Sequence, residues 1–273
     1  MATPRKVLIN YANEAFRKAQ KANTWTSKHI AGFDEVIEYG PDDVDEEFRN
    51  KYKDIFAYKR GNGLWLWKPY LILKTLNKMQ DGDILVYLDS GAFWCRSANP
   101  IFEVLNKEDI YVVSNPLVEK QFTKKRTFEI MDCFDDKYTE SSQIQASIIG
   151  LKKSRRSVEL MNKFLSYCCD VDNIASDIIG EGIDVTFVAH REDQSILSLL
   201  VKKENIKSHK DPTQYGVLPE KYGKGKYIYR FANVADDYKP MIVLHRSGRM
   251  KFKNCFNQWL CCVLPICISR IFI

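Results

Sequence analysis

Along the chain, short apolar runs alternate with longer stretches in which apolar residues recur every three or four positions. Lys6–Tyr11 is a first apolar run closing on Asn10 and Tyr11, and a helix is predicted through residues 15–20. Glu35–Tyr39 reads as a second short strand, and Gly40, Pro41, Asp42 and Asp43 as a turn that caps a helix starting near Val44. Pro69 suits a first helical position, and Ile72, Leu73, Leu76 and Met79 then mark one apolar helical face. The next run, Ile84–Leu88, breaks off at Asp89, Ser90 and Gly91. It reads as a buried strand that delivers one carboxylate to the carboxyl edge of a sheet, where open α/β sheets bind ligands.

The alternation continues with a helix at 101–106, a strand at 110–114, a strand at 142–151 and a long helix at 154–169. A strand at 185–190 is predicted to end at His190, before a helix whose first turn is acidic, Glu192 and Asp193, as the helix dipole favours. A late strand from Met241 ends at His245. Residues 208–239, rich in Gly, Pro, Lys and Tyr with little periodicity, read as a long ordered loop or lid. Strands alternating with helical patterns predict an α/β class with a Rossmann-like, mostly parallel central sheet flanked by helices.

At 273 residues and 45% hydrophobic content there is ample core for one large domain. The expected division is residues 1–248 as that domain and 249–273 as a tail, basic and aromatic and then apolar. The tail follows Arg249, Lys251 and Lys253 with Trp259 and a run to Ile273 that is short for a membrane span of about 20 residues. Such a tail suits either contact with an anionic membrane surface or docking on the protein's own core.

The net charge of +6, from 41 basic and 35 acidic residues, is mild and dispersed, which argues against nucleic acid and admits an anionic ligand. The start leads into only a short apolar run, so no secretory signal is expected. Eight cysteines without C-x-x-C spacing read as reduced thiols in a cytoplasmic protein, and the tail admits a peripheral position on the cytoplasmic face of a membrane.

Candidate chemistry gathers in a few places. Arg60, Gly61, Gly63, Trp65, Trp67 and Lys68 fall within ten residues, a mix that suits holding a flat ring and an anion together. Asn10 and Tyr11 stand at the first strand-to-helix junction, a usual nucleotide position, although no G-x-G-x-x-G follows. Lys124 and Arg126 lie where a helix capped by Thr123 would begin, and cations there oppose the macrodipole unless a ligand or a partner charge answers them. Asp89, His190 with Asp193, and His245 all follow expected strand ends. One carboxylate and an imidazole with diphosphate oxygens make a site for Mn2+ or Mg2+, and a second carboxylate can take a hydroxyl proton or face a cationic sugar.

These residues resemble the GT-A-fold nucleotide-sugar glycosyltransferases of capsular polysaccharide and O-antigen clusters and of some large viruses. The matching stretches are Arg60-Gly61-x-Gly63-x-Trp65-x-Trp67-Lys68-Pro69, Asp81-Gly82-Asp83-Ile84-Leu85-x-Tyr87-x-Asp89-x-Gly91, Thr123-Lys124-x-Arg126 and His190-Arg191-x-Asp193-Gln194-Ser195. More distantly the chain is similar to glycogenin-type transferases, whose Asp-x-Asp and late His-x-x-Gly bind a metal. The resemblance implies that Asp89 and His245 meet the metal and the diphosphate, and that Asp193 and Gln194 face the transferred sugar or the acceptor. Gly91 stands where the second carboxylate of Asp-x-Asp would be, so Lys68, Lys124 or Arg126 are alternative holders of the diphosphate. The implied activity is hexosyl transfer from a nucleotide-sugar donor to a glycan or glycolipid acceptor. The rival readings are a sugar nucleotidyltransferase, which usually has a glycine-rich, lysine-bearing N-terminal loop, and a non-enzymatic glycan-binding module built on the tryptophan loop.

Overall fold

The computed structural model describes residues 3–176, 182–222, 227–265 and 268, apart from the side chains of Glu220 and Lys221. Its strands are β1 (Lys6–Tyr11), β2 (Glu35–Tyr39), β3 (Ile84–Leu88), β4 (Ala92–Trp94), β5 (Ile110–Val118), β6 (Ser142–Lys152) and β7 (Ile242–Leu244). The longer helices are α1 (Arg17–Thr26), α2 (Trp67–Leu76), α3 (Asn99–Lys107), α4 (Arg155–Cys168), α5 (Glu192–Lys203) and α6 (Phe252–Val263).

The main sheet has the order β2-β1-β3-β6-β5. β1 pairs parallel with both β2 and β3, while β6 runs antiparallel to β3 and to β5. Only β6 is reversed, so the expected α/β fold with a mostly one-directional sheet flanked by helices is the fold found. The reversal was not legible from period-2 patterning, which fixes faces and not direction. It matters for the site, because the early half of β6 then lies beside the end of β3, where Asp89 N–H donates to Ser147 O at 2.9 Å.

Alternate residues of each strand feed two cores. Val7, Ile9, Tyr11, Leu85 and Tyr87 pack on one side with α2, α4 and α5. Leu8, Ile84, Val86 and Leu88 pack on the other with Trp94, Ile101, Phe102 and Leu105. α4 begins as its sequence dictates, with Ser154 accepting from Ser157 N–H at 3.2 Å.

Three expected elements differ. Residues 185–190 form no strand: Val185 and Val188 are exposed, and Val188 N–H donates to Gln121 O at 2.8 Å instead of joining a ladder. β7 belongs to a separate two-stranded sheet with β4, so His245 does not extend the main sheet. Thr123 does not N-cap the helix that follows it; its hydroxyl donates to the buried Glu119 at 2.8 Å, and Lys124 takes the N-cap position.

The tail docks through α6, with Cys255, Cys261 and Cys262 buried and Phe252, Phe256 and Trp259 exposed. No helix among the described residues is long and apolar enough to cross a membrane. Residues 266–267 and 269–273 of the apolar run, and 223–226 of the long loop, lie outside the described residues.

Candidate active site

A cleft of about 500 Å3 opens at the carboxyl ends of β1 and β3. There the chain leaves β1 for β2 on one side and leaves β3 toward β5 on the other, the crevice expected of such sheets. Its tryptophan wall depends on an unusual backbone. Gly61, Asn62, Gly63, Leu64 and Trp65 have φ of 58°, 53°, 92°, 52° and 61°, a single left-handed turn. Non-glycine residues pay for this conformation, so it persists only where neighbours over-determine it. A Cβ on Gly61 would come within 2.3 Å of the Trp65 ring, which explains the glycine. The turn is clamped by Trp67 Nε1–H donating to Gly61 O at 2.8 Å, and by Arg60 donating to both carboxylate oxygens of Glu192 at 2.5 and 3.2 Å.

Trp67 is buried and stacks on Tyr11, with ring centroids 3.6 Å apart and planes at 16°. Asn62 donates its side-chain amide to the Tyr11 hydroxyl, and burial pushes that phenol up to about 12. Beneath this pair lies an ionic centre. Lys68, buried, donates to Asp193 Oδ2 at 2.6 Å and to Ala146 O at 3.1 Å, and its ammonium lies 3.7 Å from Asp89 Oδ1. Tyr87 donates to the same Asp89 oxygen at 2.5 Å. Burial pushes the Asp193 carboxyl up to about 6, and Lys68 offsets only part of that shift.

Of the residues singled out from sequence, Tyr11, Arg60, Trp65, Trp67, Lys68, Asp89, Asp193 and Gln194 line this one cleft. Asn10 does not. Side chains alternate along β1, so Asn10 faces away from Tyr11 and is enclosed by Asn23, Thr24 and Gln20 at 3.0, 3.2 and 3.0 Å. Lys124 is buried, donates its ammonium to Ala175 O and does not line the cleft. Arg126 pairs at the surface with Glu129 and Asp172. His190 is buried, accepts from Lys124 N–H at 3.4 Å, and is held well below the usual imidazole range, at about 3, chiefly by burial.

Gly91 proves to be a crossing point. Its carbonyl accepts from the N–H groups of His245 and Arg246, both at 2.9 Å, and a Cβ on it would meet Arg246 Cα at 3.1 Å. The backbone of 245–246 thus occupies the space of the second carboxylate. His245 is itself buried and does not line the cleft, but its Nε2 has no hydrogen-bond partner, and burial keeps the ring neutral with a pKa lowered to about 4. Among the described residues no three His, Cys, Asp or Glu side chains gather. A cage made of protein ligands alone does not fit this set. A divalent ion that takes most of its oxygens from a diphosphate would meet Asp89 in the cleft, while His245, expected as its second ligand, is buried outside the cleft lining.

Among the lining residues to which the sequence assigned no role in the site are Gln145 from the reversed β6, Arg191 and Glu192 at the start of α5, and Arg246 beyond β7. The Glu192 and Arg246 backbones are left-handed, with φ of 41° and 55°, which sequence does not announce.

No family model matches the chain, and no curated protein does. Several solved structures resemble it. Mouse xyloside xylosyltransferase 1 in its apo form has a TM-score of 0.42 and 10% identity over 76% of this chain and 84% of that one. The galactosyltransferase LgtC, in complex with donor and acceptor sugar analogs, has a TM-score of 0.40 and 16% identity over 76% and 74%. The glycosyltransferase GlyE of Streptococcus pneumoniae TIGR4 has a TM-score of 0.43 and 13% identity over 81% of this chain and 50% of that one. Each of these is a glycosyltransferase. With scores below 0.5, the functional reading rests on the cleft itself.

Proposed function

We propose that the protein is a glycosyltransferase that moves a hexosyl group from a nucleoside-diphosphate sugar to a hydroxyl of a glycan acceptor. The observation that carries this reading is the cleft in which Lys68 holds Asp89 and Asp193 together beneath the Tyr11–Trp67 stack. Two carboxylates fixed by one buried ammonium, beside a wall of aromatic rings, suit a polyhydroxylated ring and a leaving group that departs as an anion. In this reading Tyr11, Trp65 and Trp67 wall the donor, and Asp89 stands at the diphosphate. Asp193 faces the sugar or the acceptor hydroxyl and takes its hydrogen bond or its proton. Mn2+ or Mg2+, when bound, would neutralise charge on the departing diphosphate, held by Asp89.

Residues 1–248 form the catalytic body in this proposal, and α6 turns it toward an anionic bilayer. Phe252 stacks on Phe256 and Phe256 on Trp259, each pair at 5.8 Å, along the exposed face of α6, next to Lys251 and Lys253. The decisive experiment incubates the protein with a panel of nucleotide sugars, with and without Mn2+, and follows release of the nucleoside diphosphate. Release by the native chain and its loss in Asp89→Asn is expected; release of pyrophosphate, or no turnover with any donor, overturns the reading.

A further inference from the structure

One wall of the cleft carries hydrogen-bond donors that nothing among the described residues answers. The Arg191 guanidinium lies over the Phe122 ring at 4.5 Å, and its Nε is buried without a partner. The exposed Arg246 lies over the Tyr215 ring at 4.8 Å and within 6.0 Å of the Tyr222 ring. Among the described residues neither guanidinium has a carboxylate within ion-pair distance; the nearby Glu192 is taken by Arg60. Gln145 is buried; its Oε1 accepts from the Tyr222 hydroxyl at 3.1 Å, and its Nε2 has no partner. Arg191, Arg246 and Gln145 all line the cleft.

Two like charges brought together with an orphan amide is an arrangement that a protein does not keep for stability. Each unanswered buried donor costs about 1–3 kcal/mol, and the cations repel one another. Cation–π contact holds each guanidinium in place without neutralising it. All three groups donate, so the complementary ligand is rich in acceptors and negatively charged. Arginine's planar fork matches phosphate oxygens in particular.

We infer that Arg191, Arg246 and Gln145 form an anion clamp that takes the diphosphate of the sugar donor. This assignment rests on the glycosyltransferase reading, and it replaces Lys68, Lys124 and Arg126, whose charges are used elsewhere. The clamp stands one residue from His245, and the Arg246 backbone crosses Gly91, so it adjoins the end of β3 where Asp89 waits.

The test is titration calorimetry of the full chain with inorganic pyrophosphate in EDTA, with glucuronate as the carboxylate control, beside donor-turnover assays. Pyrophosphate should bind the native chain more tightly than glucuronate, and Arg246→Gln should weaken it about tenfold, the loss of one charge-assisted contact. Arg246→Lys should recover part of that loss. Arg191→Gln should act alike, and because Arg191 packs on Phe122, the exposed Arg246 carries the test if that variant does not fold. No pyrophosphate binding by the native chain, equal binding by Arg246→Gln, or a preference for glucuronate overturns the clamp. The two readings separate cleanly. Turnover with an unchanged donor KM in Arg246→Gln removes the clamp and leaves transfer standing. Pyrophosphate binding lost in Arg246→Gln, with no donor turned over by the native chain, keeps the anion site and removes transfer.

Discussion

The two walls of the cleft are built on opposite plans. On the tryptophan side the groups that shape the wall have partners among the described residues: Lys68 with Asp193, Arg60 with Glu192, Trp67 with Gly61. On the arginine side Arg191 Nε and Gln145 Nε2 are buried and unanswered. A saturated wall holds its shape whether or not anything is bound, whereas an unsaturated one is completed by a visitor. The difference separates the scaffold that fixes the carboxylates from the surface that awaits an anion.

The saturated wall breaks most severely at its centre. Lys68→Met leaves Asp193 buried beside no cation and should cost about 3–5 kcal/mol, read from the urea midpoint; a shift near zero would mean that the pair is not structural. Asp89→Asn should lower donor turnover by about a hundredfold or more, the scale of one lost electrostatic contact in an active site. Its melting temperature should stay close to native, since Asp89 reaches solvent at the cleft. Gly61→Ala should cost about 1–3 kcal/mol through its left-handed φ and the Trp65 ring, with denaturation and donor KM moving together.

Smaller effects test the finer assignments. Asp193 must be ionised to accept a proton or pair fully with Lys68, so turnover should climb with pH through about 6. For stability the sign is opposite. A carboxyl whose pKa rises on folding adds stability that is full below its ordinary value and lost as pH rises to about 6. Comparing native and Asp193→Asn chains between pH 4 and 7 isolates that contribution, and identical pH profiles would remove it. Smallest is the exposed aromatic stripe: Phe252→Ala with Trp259→Ala should move stability by less than about 1 kcal/mol yet reduce sedimentation with vesicles of anionic lipid. Sedimentation equal to native would take the bilayer away from α6.

Much of this was legible in the sequence because local physics decided it. The apolar run ending at Asp89, the capped helix after Ser154 and the acidic start of α5 each follow from patterning within a dozen residues. What stayed hidden depended on direction or distance. Asn10 and Tyr11 look alike as strand-end polar residues, yet the pleat sends only Tyr11 into the cleft. The apolar run 185–189 looks like a strand but finds no neighbouring edge. Lys68 and Asp193 meet across 125 positions, and nothing near either residue announces the other. The left-handed turn at 61–65 also stayed hidden, since three of its five residues are not glycine.

The crossing at Gly91 also bears on how this site can change. Restoring an Asp-x-Asp by Gly91→Asp would set a Cβ 3.1 Å from Arg246 Cα, so the 245–246 main chain would have to give by a few tenths of an ångström before the new acid could be seated. A second acid would therefore enter together with a small shift of that late segment, so the gain of a carboxylate here is tied to the packing of residues far along the chain.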